Sequence, residues 1–596
     1  MADISIVPDN RNPFTVISPE NLDAQTVQQI FVEVFSDFPQ IRKPGNSIIF
    51  GARGSGKSMM FRCLLPDVIM LHKSCSFNKL DFLAFHVSIK NTELRITDLQ
   101  TLDQHHASFL INEHFFTVCV MIQILKWLSE KLPEGLQFNN NNYKEFFDKI
   151  YTKNLELCGC STKGEFLSDS PREFFAGLHD HMRGLHSEFI RYVLTISPDL
   201  DDRIPPYKLP ILTFQDFLMP FLRGLKNLPG FPNGNIYLLI DDADNLSKTQ
   251  TKILNTWLAT RTQPEISIKV SAQIGMYKSF ITANGTSVGS PHDYQETNIS
   301  DKYTTSRTIY YKQVNDILEK RLKLAGISNV TPKQFFPEYL SQEEAIRKEA
   351  ERLRAEWEIN GRGNRPEDDS LRYARPNYIR DLGGSRKARS TYKYAGLEHL
   401  VHLSSGVIRY VLDSAAYMYD ETIKANNMQE VMFIPCDIQD SVAREQAEKI
   451  MFTQFRKLEK DEEVIKNPIG NAQKLQNLIL SLGYTFHDIL VSDRSERRVF
   501  SFALTNTPTE GIKSILDFGV QTGYLYESTI GNKSGTGRTW LYIMNRGLAP
   551  IFTLDPTGFA GYLFVTNEDL SSAISYGKRL RNVDSIYQPE QLTFFD

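Results

Sequence analysis

Short apolar runs alternate with stretches of helical period along the first half of this chain. Residues 47–50 (SIIF) are a short apolar run, and residues 81–89 (DFLAFHVSI) read as a second buried strand. Residues 236–240 place five apolar side chains in succession, long enough for a central parallel strand covered on both faces. Residues 266–274 (ISIKVSAQI) predict another strand. Between them lie helical patterns. One opens at Ser18-Pro19-Glu20 and carries Val27, Ile30, Phe31, Val34 and Phe35 at a spacing of three to four. A second covers 57–65. The long one, 107–131, has Phe109, Phe116, Val120, Ile124 and Trp127 among its core positions, and 248–260 follows the central strand. Strands interleaved with helices predict an α/β core with a parallel sheet.

The first loop between these elements carries chemistry. From Gly51 to Gly56-Lys57-Ser58 the chain reads Gly-Ala-Arg-Gly-Ser-Gly-Lys-Ser, the spacing of a phosphate-binding loop. Glycines let the backbone curl so that successive N–H groups face an anion, and Gly51, Gly54, Ser55 and Gly56 are the expected cradle. Lys57 is expected to reach the β- and γ-phosphates of ATP, and Ser58 to hold Mg2+ through its hydroxyl. A strand before and a helix after, with Pro66 just beyond it, supply the required context.

Asp241 and Asp242 emerge at the end of the apolar run 236–240, where open α/β sheets place their ligands. They read either as two solvated acids or, beside a phosphate loop, as a metal-holding Asp241 and an Asp242 that orients the attacking water. Aspartate at the second position shortens the reach of the base, which predicts slow turnover. Gln273 closes the strand 266–274 as a γ-phosphate or water contact, with Ser271 the alternative. Arg307 lies just before the next helix and is a candidate for an arginine finger. Residues 311–325 open a second, helical domain. In 404–409 (SSGVIR), Arg409 sits early in a helix, placed to reach a nucleotide from a lid.

Residues 343–358 are a charged helical segment of mixed sign, read as a solvated face. Residues 372–393 carry Arg372, Arg375, Arg380, Arg386, Lys387, Arg389 and Lys393 against the single acid Asp381, with Tyr373, Tyr378 and Tyr392 interleaved. This is either a nucleic-acid contact, cations on phosphates and rings on bases, or a disordered basic loop. Residues 467–565 form a further module: a helix at 474–482, a strand at 497–503, a helix at 511–518, and a hairpin of 524–530 and 538–544. Its turn holds Lys533, and Arg538 follows. Helices before such a hairpin read as a winged helix, which binds DNA or only protein.

Composition narrows the class. Of 596 residues, 41% are apolar and 23% charged, as in a soluble globular chain, and the net charge of −4 confines any basic surface to patches. The first residues lack a basic region followed by an apolar core, and the run 115–125 is too short to span a bilayer. Six scattered cysteines form no disulfide framework, and Cys158 and Cys160 with His179, His181 and His186 match no common zinc spacing. A cytoplasmic protein with no membrane association is expected.

The order of these features resembles the AAA+ ATPases of the origin-recognition type, and more narrowly the bacterial members found in phage-defence loci. The likeness spans roughly residues 20–330, 400–420 and the C-terminal module. It implies an α/β P-loop NTPase (AAA+) core at 1–306 with a helical insertion at about 133–210. A helical lid at 307–460 follows, with a basic insertion at about 343–394, then a winged-helix domain at 467–565 and a tail at 566–596. It further implies that Lys57 and Ser58 are Walker A residues, Asp241 and Asp242 Walker B, Gln273 sensor 1 and Arg409 sensor 2. ATP and Mg2+ are the implied cofactors. A homo-oligomer is implied by the resemblance, and DNA is the partner expected from the basic segment and the hairpin, contacted through Arg386, Lys387, Arg389, Lys533 and Arg538. The alternative is a nucleotide-gated module that recruits an effector protein, encoded by a neighbouring gene, without touching DNA.

Overall fold

A computed structural model describes residues 12–32, 38–91, 94, 109–160, 168–195, 208–260, 265–300, 303, 307–360, 366–384, 391–425, 431–461, 470–494, 497–531, 537–558, 561–580 and 586–587. Val34, Phe35, Arg386, Lys387, Arg389 and Lys533 lie outside the described residues. The chain forms two compact units. One comprises Ile17–Gly51 and Gly56–Ile299, the other Met1–Val16, Ala52–Ser55 and Ser300–Asp596.

The first unit is built on five parallel strands, β1 (Ser47–Gly51), β2 (Phe82–Ser88), β3 (Asn235–Asp241), β4 (Ile266–Gln273) and β5 (Gln295–Asn298), ordered β2-β3-β4-β1-β5. The central strands are buried along nearly their whole length, which is why they read as unbroken apolar runs. The phosphate-loop sequence lies between β1 and helix α1 (Lys57–Arg62); α2 (Pro66–Lys73) follows, with Pro66 fixing its first turn.

Helix α3 (Phe109–Lys131) is long and apolar enough to cross a membrane, yet most of it is buried within the unit. Phe85 of β2 meets Trp127 edge-on at 5.5 Å, and Phe116 stacks on Trp257 at 4.7 Å. Trp257 belongs to α5 (Lys248–Ala259), whose start is set by a reciprocal Ser247–Gln250 capping box. On another face α3 meets α4 (Pro171–Thr195), with Phe115 and Phe189 rings 5.0 Å apart. Short helices at Asn140–Phe146 and Lys153–Leu157 occupy part of the region expected to be a helical insertion.

The second unit begins its helical part with α6 (Arg307–Leu324), followed by α7 (Leu340–Asn360) and α8 (Pro366–Gly384). The last two pack through Ile346, Ala350, Leu353 and Ala374, so the helix read as a solvated face has its other face in a core. The described part of the aromatic and basic segment is not the disordered loop of one reading. It is helical through Gly384, and Tyr392 is fully buried. Arg375 donates to both oxygens of Glu343 at 3.1 and 2.9 Å and to Tyr392 Oη at 2.8 Å. Arg380 pairs with Asp493 and Lys393 with Asp437. Sequence composition showed the cations, whereas their acids lie far off in the chain.

Helix α9 (Ile408–Ala425) precedes a C-terminal array of α10 (Asn471–Leu490), β6 (Val499–Leu504), α11 (Glu510–Thr522), β7 (Leu525–Gly531), β8 (Arg538–Met544), β9 (Gly561–Val565) and β10 (Ile586–Tyr587). The sheet order is β10-β9-β6-β8-β7: β7 and β8 form the expected hairpin, and β9 adds in parallel to β6. Tyr394 Oη donates to the carbonyls of Ala549 and Leu554, tying this array to the helical part of the same unit.

Candidate functional site

In the first unit, α1 starts directly on Gly56, whose φ of 105° is left-handed and favours glycine. A Cβ there would meet nothing within 4 Å, so conformation rather than crowding selects the residue. Lys57 is buried and its Nζ donates to the Gly51 carbonyl at 2.8 Å. Burial pushes its pKa down, against the pull of Asp244, Asp241 and Asp242. The Lys57 ammonium can meet phosphate oxygens, while the three nearby carboxylates call for a divalent cation to accompany them.

Asp241 is 2% exposed at the end of β3. Burial alone would raise its pKa, but hydrogen bonds and charge from His86, with further bonds from Ser271 and Ser58, hold it at about 2. The Ser58 hydroxyl of the loop and the Asp241 carboxylate of β3 are thus brought together. The Ser271 hydroxyl, from β4, donates to Asp241 Oδ1, and His86 Nε2, from β2, lies 3.2 Å from Oδ2. Ser271 is therefore built around Asp241. Gln273 lies at the end of the same strand, its backbone N–H donating to Asp244 Oδ1 at 3.0 Å.

Asp242 is turned out of the strand. Its φ of 60° and ψ of 40° are left-handed, a conformation that aspartate tolerates better than most residues. The backbone N–H donates to Ser271 Oγ at 3.0 Å and to Asp241 Oδ1 at 3.1 Å, which fixes the turn. The side chain is half-buried and stands 3.2 Å from Lys90 Nζ. Burial and neighbouring Asp241 raise its pKa, opposed by Lys90.

The oxygen donors Ser58 and Asp241, beside the Lys57 ammonium, suit a hard divalent cation with phosphates. His86, Lys90 and Asp244 were not singled out from the sequence. The one signal was a histidine inside an otherwise apolar strand, FLAFHVS.

In the second unit, Gly54 has a φ of 85°, and its carbonyl accepts the Arg409 backbone N–H at 3.1 Å. A Cβ on Gly54 would lie 2.7 Å from Arg409 Cβ. Ser55, buried in this unit, has a side-chain hydroxyl with no hydrogen-bond partner. Arg307 is the first residue of α6. Arg538 opens β8 opposite Gly531 and is exposed, as is Trp540 two residues on. Among the described residues, Cys158 and Cys160 belong to no group able to hold a metal ion.

A family model described as ORC-CDC6-like matches residues 12–360 and 354–564. Among curated proteins, none matches the chain. Solved structures similar to the chain include the Aeropyrum pernix ORC1 protein in complex with DNA. That match has 11% identity, 92% of this chain and 95% of that chain covered, and a TM-score of 0.26. CDC6P from Pyrobaculum aerophilum matches at 13% identity, with 98% and 99% covered and a TM-score of 0.26. Drosophila ORC bound to DNA matches at 9% identity, with 89% and 94% covered and a TM-score of 0.20.

Proposed function

Since this chain belongs to the ORC-CDC6-like family, we propose that it is an ATP-binding and ATP-hydrolysing AAA+ switch that engages DNA. The observation that carries the reading is the convergence of the Ser58 hydroxyl and Asp241 carboxylate beside buried Lys57. In this reading the loop from Gly51 to Ser58 and Lys57 hold the phosphates of ATP, and Ser58 and Asp241 hold Mg2+. The metal, when bound, supplies charge neutralisation at the phosphates. Asp242 orients a water and takes its proton on a carboxylate oxygen, while Gln273 contacts the terminal phosphate. Arg409, as sensor 2, links the helical lid to nucleotide state, and Arg307 is the candidate finger toward a neighbouring copy in a homo-oligomer.

The C-terminal array is proposed to be a winged helix whose hairpin, through Lys533 and Arg538, lies along a duplex, with Arg386, Lys387 and Arg389 as a second contact. A role in antiphage defence in the cytoplasm follows from the resemblance of the motifs. Exposed Trp540, 58% accessible, favours a second reading in which the hairpin docks an effector protein.

Calorimetry with ATP tests the core of the proposal. Lys57→Ala is expected to weaken binding by about a hundredfold, the worth of a charge-assisted contact. Asp242→Asn should retain ATP and lose turnover. Unchanged affinity in Lys57→Ala refutes the nucleotide site, and normal turnover in Asp242→Asn removes that residue as the base.

A further inference from the structure

Beside the nucleotide site lies a group of which the family reading uses only Asp241. Glu20, His86 and Asp241 each offer a ligand atom, and these atoms all lie within 4.8 Å of one another. They come from three separate places in the first unit: the turn Pro19–Asn21, β2 and the end of β3. Glu20, His86 and Ser58 also line a cavity of about 530 Å³, so the cluster opens onto space that admits an ion with its waters.

We propose that Glu20, His86 and Asp241 form a divalent-metal site that takes a nitrogen-accepting first-row ion, of the Mn2+ or Zn2+ class, without nucleotide. It rests on the proposed nucleotide site only in sharing Asp241. The separation of His86 Nε2 and Asp241 Oδ2 is 3.2 Å. These two atoms are hydrogen-bonded to each other, and metal bonds of about 2.0–2.2 Å put neighbouring ligand atoms about 3 Å apart, so an ion can take the place of the shared proton with little movement. Glu20 is exposed on its turn, where Ser18 Oγ donates to its Oε2 at 2.5 Å, and its ligand atom lies within 4.8 Å of the other two. Two carboxylates and one imidazole separate this group from an oxygen-only Mg2+ site, because imidazole favours Mn2+, Co2+ or Zn2+ over Mg2+. The consequence is that the turn carrying Glu20 would be fastened beside Ser58 before any nucleotide arrives.

The test is titration of the nucleotide-free, full-length chain with Mn2+, read by electron paramagnetic resonance. One bound ion is expected, with a 14N coupling from the imidazole. Glu20→Gln and His86→Gln should each weaken it by at least about tenfold, with His86→Gln abolishing the nitrogen coupling. Lys57→Ala should keep Mn2+ binding while losing ATP, which separates this site from the nucleotide reading. Mn2+ bound without nitrogen coupling, Mn2+ bound only with ATP, or equal affinity in Glu20→Gln would each overturn the proposal. Glu20 is at the surface, so its substitution leaves folding intact, and the wild-type spectrum alone already decides the coupling.

Discussion

Lys90 Nζ stands 3.2 Å from Asp242 Oδ2, so the carboxylate proposed as the base is already paired in this conformation. The pairing opposes burial and Asp241, which together raise the Asp242 pKa. Removing the cation should let that pKa climb further, leaving less of the carboxylate ionised at acid pH. In Lys90→Met the acid limb of the ATPase pH profile is expected to move to higher pH, with turnover above it retained or increased. An unmoved acid limb would show that Lys90 does not govern the base.

Gly54 and Arg409 make a second testable pair. Gly54→Ala meets two obstacles: a left-handed φ costing about 1–2 kcal/mol, and Arg409 Cβ at 2.7 Å. Gly56→Ala meets the first obstacle alone, since nothing lies near its added Cβ. Unfolding should therefore show Gly54→Ala as the more destabilised variant. Its excess over Gly56→Ala should shrink in an Arg409→Gly background, and a double-mutant cycle with no coupling would contradict the close approach.

Cations that look alike in sequence should behave differently in experiment. Arg375→Met strands Glu343 in a partly buried pair and is expected to cost about 3 kcal/mol of stability, as for other broken buried pairs. Lys533→Glu with Arg538→Glu should leave stability nearly unchanged. If the hairpin follows a duplex, the pair should lower the salt slope of DNA binding by about two, one per lost phosphate contact. An unchanged slope, together with loss of a protein partner, would favour the docking reading.

Acid sensitivity follows from buried neutral histidines. His114 accepts the Leu212 N–H on Nδ1 at 3.0 Å, and burial, with a small contribution from His186, holds its pKa at about 3. The folded pKa is depressed, so the unfolded chain takes up the proton first. Stability is then whole above pH 6.5 and declines as the pH falls toward 3. Between pH 7 and pH 5 the loss is about 2 kcal/mol from this residue. His114→Asn keeps an acceptor for Leu212 and should flatten that decline in urea unfolding. The same slope in both proteins would count against it.

Much of the core was legible because burial on both faces writes itself as apolar runs. The expected strand at 81–89 is Phe82–Ser88, that at 266–274 is Ile266–Gln273, and the helix at 107–131 is Phe109–Lys131. Strand β5, Gln-Glu-Thr-Asn, was invisible: it is an edge strand with a polar, partly exposed sequence. Helix α8 was hidden by its charges and its interior Pro376. At the site, the loop and Asp241 stood out by local spacing. His86 did not, because parallel pairing of β2 and β3, with Ser88 opposite Asp241, is what carries it there.

Strand β10 has a protective consequence. Residues Gly561–Val565 form a mostly buried apolar strand, and Ile586–Tyr587 pair antiparallel with it on the side away from β6. A chain shortened at residue 580 would bare the edge of β9 at Tyr562 and Leu563, the two positions that β10 covers. Its fate at high concentration would be sheet-to-sheet association, with β10 acting in the intact protein as a built-in guard against aggregation.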